Sequence, residues 1–487
     1  MAGALRKSPR RADLETAFAP FEAALILDGL GNRFFQDSEE LQGATTPVSA
    51  LFMDSPAEHF VKPGRTTVFS RVGAAIALAT LQTSSPSGGA GHRTSLRGGG
   101  PLTTLAIPGT LRGRESMLWE RLWANVPEDL KVEDGEPLSR VFPWLGPTRT
   151  SDPKSGGVAT TPEDVHPAQA FFGMPRRIRL AFEPNTAGRA CDLTGLVDDV
   201  IVTGYVTRPW GTDYTGWSKE HPLSPYYKQK PSDTEYLPLH LKSARVGYRD
   251  WLGMTVDVNS TDGSGSKRNS VPAACVAEFR TRAADLDAAA RRGARLLVAG
   301  YAMDNMKPLD FGEAMLPLIV SRDENTNEAI KDLARRWVNA ADLVANQLVT
   351  AARRALFGEK GKAERDSTVL EPVKARFWAD TEQDFFAKLQ AAADDYETKL
   401  AADRDLLASL NTAVGLSWLK SLTRHALAIF DDTVPIDDAK SDKIEDMIEG
   451  RKMLVFALTG YGPVGGPLFG MLGQPPRETK RKGRKAA

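Results

Sequence analysis

The sequence predicts an α+β protein. It reads as an irregular mixed domain over residues 1–320, a four-helix bundle over 321–470 and a basic flexible tail over 471–487. Three observations predict this. Apolar residues recur at helical spacing in four successive segments after residue 320. Before it, short alternating or β-branched runs mix with helical patterns, and glycine-, proline- and serine-rich stretches separate them. The chain has 487 residues and is 41% hydrophobic, enough for about two to three domains with substantial cores.

Leu14, Phe18, Phe21 and Leu25 predict an amphipathic helix over 12–29. The composition then shifts at 84–101 to SSPSGGAGHRTSLRGGGP, a glycine-rich loop carrying His92, Arg93 and Arg97. A helix is expected over 116–125 and a loop over 144–165. Ile178-Arg179-Leu180-Ala181-Phe182 alternates as a strand does. The β-branched run 200–206 predicts another strand, and 237–241 a third. The alanine-rich segment 276–291 reads as a helix, and 296–301 and 315–320 as strands. In the last third, Leu333, Trp337, Ala341, Val344, Leu348 and Ala352 share one helical face. Phe377, Thr381, Phe385, Leu389, Ala393, Tyr396 and Leu400 share another. Segments 410–430 and 444–458 supply two more helices, with Gly460 as the stop. Four amphipathic helices in sequence bury their stripes as a bundle.

Composition restricts the function classes. Mean hydropathy is −0.31, and no run of about 20 apolar residues marks a membrane span. The start, MAGALRKSPRRADLE, is basic but has no apolar segment of the secretory kind. Two distant cysteines, Cys191 and Cys275, exclude a disulfide framework and a multi-cysteine zinc site, and suit the cytoplasm. Lysine plus arginine equals aspartate plus glutamate at 62 each, but basic clusters stand at Arg6-Lys7 with Arg10-Arg11, at Arg176-Arg177 with Arg179, and from Arg477 to Lys485. Such patches can hold phosphates whatever the net charge.

No catalytic pattern stands out. The six histidines do not pair at metal-ligand spacing, and H-E-x-x-H, C-x-x-C, G-x-S-x-G and Walker A motifs are absent from the sequence. Asp304, Asp310 and Glu313 form a possible carboxylate cluster, and a metal-dependent nuclease built on them is one alternative reading. Turn and capping roles account for them more simply. A scaffold with no direct DNA readout is the other alternative.

The remaining features suit binding. Residues 300–308 read GYAMDNMKP: an apolar run enters a glycine, and Asn305 then sits between Met303 and Met306, with Asp304 before and Lys307 behind. An amide and flexible apolar side chains on a turn can enter a base stack. In the glycine loop, backbone N–H groups can approach phosphates closely, and Arg93 and Arg97 add charge. Lys228 and Lys230 follow HPLSPYY, where prolines shape the turn. Phe60-Val61-Lys62 places an apolar pair beside a cation ahead of Pro63-Gly64.

In this order, FVKPG, SLRGGGPLTTL, VTGYVTRPWG, HPLSPYY, GYAMDNMKP and a terminal helical bundle resemble the CasA family, the large subunit of the type I-E CRISPR surveillance complex Cascade. The resemblance covers most of the chain. It implies a non-enzyme with no cofactor and no metal, which reads the protospacer-adjacent motif of duplex DNA from the minor groove while guide pairing reads the rest. It implies, as partners, the guide RNA, the backbone and small subunits, double-stranded target DNA and the nuclease-helicase that acts after the R-loop forms. Phe60, Val61 and Lys62 match the loop that grips the guide RNA and docks on the complex. Gly88, Gly89, Ala90 and Gly91 match the glycine loop, to which Arg93 adds a charge. Arg208 stands where the family carries a lysine finger, and Lys228 and Lys230 match a basic pair. Asp304, Asn305 and Met306 match the DNA wedge, with asparagine where some members carry glutamine. The family also implies a preceding segment with an NWIPV-like strand, so this sequence is either truncated at its start or a compact variant.

Overall fold

The computed structural model describes residues 8–53, 64–89, 91–128, 130–133, 135–242, 245–258, 269–358, 370–399, 403–435, 443–475 and 477. Phe60, Val61, Lys62, Ala90, Leu400 and nearly all of the basic tail lie outside them. Contacts divide the chain into two compact units. The first comprises Met1–Val246, Pro272–Arg282 and Arg295–Met315. The second comprises Gly247–Val271, Ala283–Ala294 and Leu316–Ala487.

In the first unit, helix α1 is short, Arg11–Phe18, and continues as a 3-10 segment, Ala19–Leu25. Pro20 explains the change, because a proline lacks the N–H that an α-helix interior needs. The stripe is only partly used: Phe21 packs on the core, while Phe18 and Leu25 are exposed. Strands β1 (Thr46–Pro47) and β2 (Phe69–Ser70) precede helix α2 (Arg71–Ser84). Ser70 caps α2 by accepting from the Gly73 N–H at 3.2 Å. Strand β3 (Thr103–Ile107) and helix α3 (Leu118–Trp123) follow, then the long strands β4 (Arg177–Pro184) and β5 (Val200–Arg208). β4 and β5 are the strands that the 178–182 and 200–206 patterns predict. They pair antiparallel from Arg177↔Arg208 to Pro184↔Val200, with a bulge at Ala181/Phe182. β1 and β2 pair with the other edge of β5. One face of this sheet carries the core, where Phe34, Phe35, Phe142, Phe172 and Trp144 meet edge-on or tilted.

Two further sheets carry the candidate site. Strands β6 (Tyr226–Lys228) and β7 (Leu237–Pro238) form a short antiparallel pair. Pro238 removes a donor there, so the expected 237–241 strand shrinks to two residues. Strands β8 (Arg295–Asp304) and β9 (Lys307–Pro317) then form a hairpin, in the order β9–β8–β3. β8 runs antiparallel to β3 from Arg295↔Ile107 to Ala299↔Thr103.

The second unit is helical. Helix α4 (Tyr248–Thr255) packs on helices α7 (Glu324–Phe357) and α8 (Glu371–Lys399). The expected 276–291 helix is two pieces, α5 (Ala274–Ala283), which up to Arg282 belongs to the first unit, and α6 (Ala288–Arg292), which belongs to the second. Asp287 starts the second by accepting from the Ala290 N–H at 2.8 Å. Helices α9 (Leu407–Thr433) and α10 (Ile444–Leu458) complete the four long helices, and α11 (Gly462–Met471) is an addition that its glycines and prolines do not suggest. Packing overrides propensity there: a Cβ on Gly465 would lie 2.7 Å from the Ala457 carbonyl oxygen, so glycine is what lets α11 fold back. All six α7 positions of the expected stripe are buried. So are the α8 positions from Phe377 to Tyr396. At their centre Trp337 and Trp418 stack at 5.5 Å, and Tyr248 stacks on Phe385 at 4.4 Å. Each such pair adds about 0.5–1.5 kcal/mol beyond burial. By length and composition Ile444–Met471 is apolar enough to cross a membrane. It is two helices separated at Gly460 (φ +91°), and both pack on α7.

Candidate nucleic-acid interface

The GYAMDNMKP segment is a hairpin rather than a loop after a glycine. Gly300 lies inside β8, where a Cβ would come within 3.1 Å of Leu102 Cα. Glycine therefore serves the close approach to the neighbouring chain, and the reversal occurs five residues later. Asn305 and Met306 are the two-residue turn. Asn305 has φ +53°, a left-handed conformation that asparagine tolerates better than most residues. Asp304, Asn305 and Met306 are all exposed, and Met306 keeps 54% of its surface in solvent. Behind the tip, Phe311 packs edge-on against Tyr301 at 5.0 Å and stiffens the stem.

The glycine loop leaves the end of α2. Buried Gln82 anchors this end by donating to the Phe35 and Arg176 carbonyls and accepting from the Arg176 N–H. The loop is closed at its base, where the Ser95 N–H donates to Ser85 and the Gly100 N–H to Ser84. Its tip is closed by reciprocal bonds between Gly88 and His92 and between His92 and Gly89. Gly89 has φ +68° and open space where a Cβ would stand. Gly91 has φ +82° and is pressed on Trp210, which donates its N–H to the Gly91 carbonyl at 2.8 Å. The tip is thus an exposed rim of backbone on a packed base.

Arg93 is part of that base. Its guanidinium donates to Ser151, pairs with Asp213 at 3.2 Å and lies over the Trp210 ring at 5.4 Å. Arg97 is buried and donates to Thr103 and Ser224, and burial lowers its pKa to about 10. Arg176, also lowered to about 10 by burial, holds the Pro86 carbonyl and Ser85. Arg208 closes β5 as an exposed side chain. Lys228 ends β6 with its ammonium over the Tyr236 ring at 4.9 Å, and Lys230 is exposed beyond it.

Hydrogen bonds and close contacts join these pieces. A Cβ on Gly100 would meet the Met303 sulfur at 2.7 Å, so the glycine loop rests on the hairpin. His240 Nδ1 lies 3.2 Å from the Gly100 carbonyl, and the Leu102 N–H donates to Leu239. The Thr104 N–H donates to Leu223, which brings the HPLSPYY turn to the same sheet. His221 in that turn is fully buried, and burial together with the nearby Arg97 cation holds its pKa well below the usual histidine value. Glycine loop, basic turn and hairpin are therefore one connected framework. Trp210, Gly100 and Arg97 hold it together, and this structural role shows only in long-range contacts. Asp304, Asp310 and Glu313 are not gathered: among the described residues no group of three or more His, Cys, Asp or Glu could hold a metal ion. Asp310 instead accepts from the Phe311 N–H, and Asp304 from the Asn305 amide.

A mixed sheet scaffold that extends a hairpin tip and a glycine rim, with a helical unit in the same chain, defines an α+β protein. The chain belongs to the CRISPR-associated protein Cse1 family, whose model matches residues 2–429. Its fold is similar to that of Thermus thermophilus CasA (Cse1), with a TM-score of 0.62 at 16% identity over 93% of this chain and 84% of that one. It is similar to Thermobifida fusca Cse1, with 0.60 at 13% identity over 96% and 84%. A chain of a CRISPR RNA-guided surveillance complex gives 0.61 at 16% identity over 92% and 82%. No curated protein matches the chain.

Proposed function

We propose that this chain is the large subunit of a cytoplasmic RNA-guided surveillance complex of the type I-E Cascade kind, that it reads the adjacent motif of duplex DNA, and that it starts strand separation there. The observation that carries this reading is the exposed Asn305–Met306 tip on a stiffened hairpin, with Gly100, at the base of the glycine loop, packed against the same hairpin. The rim offers backbone to a groove or phosphate, and Arg208, Lys228 and Lys230 add positive charge. Asn305 and Met306 then enter the stack beside the motif. Unstacking costs a few kcal/mol per step, offset by new contacts and by guide pairing. Asp304 ends β8 and Asp310 and Glu313 lie along β9, not gathered into a site, and the proposed role assigns this subunit no cofactor and no cleavage chemistry.

The family membership and the surveillance-complex likeness support guide RNA and the other subunits as partners. Phe60, Val61 and Lys62 are the proposed docking residues for the guide-RNA complex. The helical unit offers a groove of about 710 Å³ lined by Ile448, Met453, Val455, Phe456 and Tyr461 as a subunit contact. A separate nuclease-helicase would be recruited after strand separation.

The test is R-loop formation by the assembled complex. Asn305→Gly keeps the left-handed turn but removes the amide, and Met306→Ala removes an exposed side chain that folding does not bury. Together they should slow R-loop formation on duplex by tenfold or more and leave a pre-melted target nearly unaffected. Equal losses on both targets refute the wedge.

A further inference from the structure

We propose that His240 is a positioning residue that holds the glycine loop and the hairpin in one register, so that the tip enters at a fixed base step once the rim is seated. The proposal rests on the reading of rim and tip as DNA-facing, and it assigns a residue that no motif singles out. Residues 239–241 run between the two pieces. The Leu239 N–H donates to the Pro225 carbonyl at 2.8 Å, and the Leu239 carbonyl accepts from the Leu102 N–H at 3.0 Å. His240 Nδ1 lies 3.2 Å from the Gly100 carbonyl. The next residue, Leu241, is buried and forms a parallel bridge to Ala302 of β8. Neighbouring residues therefore grip the loop and the hairpin, and Ala302 stands three positions before Asn305.

The chemistry of the contact is specific. A carbonyl only accepts, so Nδ1 carries the proton and His240 is the donor. Burial lowers the pKa of His240 against the opposing effect of the Gly100 bond, which keeps the ring neutral. Gly98 lies against the same ring, where a Cβ would stand 3.7 Å from Cε1 and 3.9 Å from Nε2. Gly100 has φ +61° and also presses on the hairpin: a Cβ there would stand 2.7 Å from the Met303 sulfur and 3.0 Å from Tyr301 Cβ. Gly100 thus meets His240 through its carbonyl and Met303 through its Cα, while its N–H donates to the Ser84 carbonyl at 2.7 Å. The other ties act elsewhere. Arg97 joins the loop to Thr103 on β3 and to Ser224, and the Ser95 N–H closes the loop on Ser85. Successive phosphates of one strand are about 3.4 Å apart along the duplex, so a slip of the tip against the rim by about half that distance presents it to a base rather than to a step.

The experiment follows a fluorescent adenine analogue in target duplex bound by the assembled RNA-guided complex, with the analogue at the first or the second base beside the adjacent motif. In the wild type the first position opens before the second. His240→Phe keeps a ring but removes the donor. It should slow opening at the first position at least about fivefold and abolish the order of the two positions, with pre-melted target taken up within about twofold of wild type. His240→Asn, whose amide N–H replaces the Nδ1–H, should restore both rate and order. Met303→Ala loosens the same link from the hairpin side, and the double variant should be no slower than the slower single variant. Equal losses by His240→Phe on duplex and pre-melted target make His240 merely structural and overturn the proposal. Failure of His240→Asn to rescue overturns the hydrogen bond as the cause, and additive losses in the double variant overturn the shared link. The Asn305→Gly, Met306→Ala variant separates the two readings. If it opens duplex as the wild type does, the wedge reading fails and the proposal with it. If it is slow while His240→Phe opens duplex at wild-type rate and order, the role of His240 alone fails.

Discussion

Gly89→Ala and Gly91→Ala add the same methyl group two residues apart, and the structure assigns them opposite consequences. Both glycines have positive φ, +68° and +82°, so alanine costs about 1 kcal/mol of backbone strain at either. At Gly89 nothing lies within 4 Å of the new methyl. At Gly91 it would stand 2.8 Å from Trp210 Cδ2 and 3.0 Å from the Trp210 backbone nitrogen. The backbone atom cannot swing aside, so the loop or Trp210 must shift, which adds about 1–3 kcal/mol of overpacking. Moving Trp210 also disturbs its contact with Arg93. Thermal denaturation should show a loss of roughly 2–4 °C for Gly89→Ala and roughly 4–16 °C for Gly91→Ala, at about 2–4 °C per kcal/mol. Duplex binding should reverse the order of interest. Gly89→Ala leaves the fold nearly intact but puts a methyl on the exposed rim, and should weaken target-duplex affinity about tenfold, or 1.4 kcal/mol. Equal melting temperatures for the two variants would falsify the packing argument. Wild-type affinity with Gly89→Ala would show that the rim does not approach DNA.

Two further outcomes follow from buried polar groups. His221 is held neutral by burial, so its pKa is below the unfolded value of 6.5. Below about pH 6.5 the unfolded chain binds a proton that the folded chain refuses, so stability falls with pH, by up to about 1.4 kcal/mol per pH unit. His221→Asn, which can still accept from the Leu223 N–H, should flatten that slope in denaturant titrations between pH 6.5 and 5; an unchanged slope rules out His221 as its source. In the helical unit, Tyr248 and Thr381 share a buried hydroxyl contact at 2.8 Å. Tyr248→Phe should cost about 1 kcal/mol in chemical denaturation, since Thr381 keeps its bond to the Phe377 carbonyl; a loss above about 3 kcal/mol would mean the hydroxyl does more than that one contact.

The helical unit was legible because its signal is periodic and local. The α7 and α8 stripes place Trp337 and Phe385 on buried faces from spacing alone, and β4 and β5 follow from short runs of strand-forming residues. The wedge motif was legible in content but not in form. Gly300 looked like the turn, yet it serves an approach to Leu102 that is 198 positions away in the chain, and the reversal went to Asn305. The basic residues were harder still. Arg93 and Arg97 read like Lys228, but Asp213, Trp210 and Ser224 absorb the first two into the framework, while Lys228 stays available on Tyr236.

By itself the sequence determined the α+β class, the helical stripes, the family and the residues of the tip, because period, order and residue type are properties of neighbours along the chain. Tertiary structure decided which glycine turns, which cations are spent internally, that α11 folds back against α7, and that Lys228 lies over the Tyr236 ring. Those outcomes depend on distances between residues far apart in sequence, and burial and charge pairing come into being only when the chain has closed on itself.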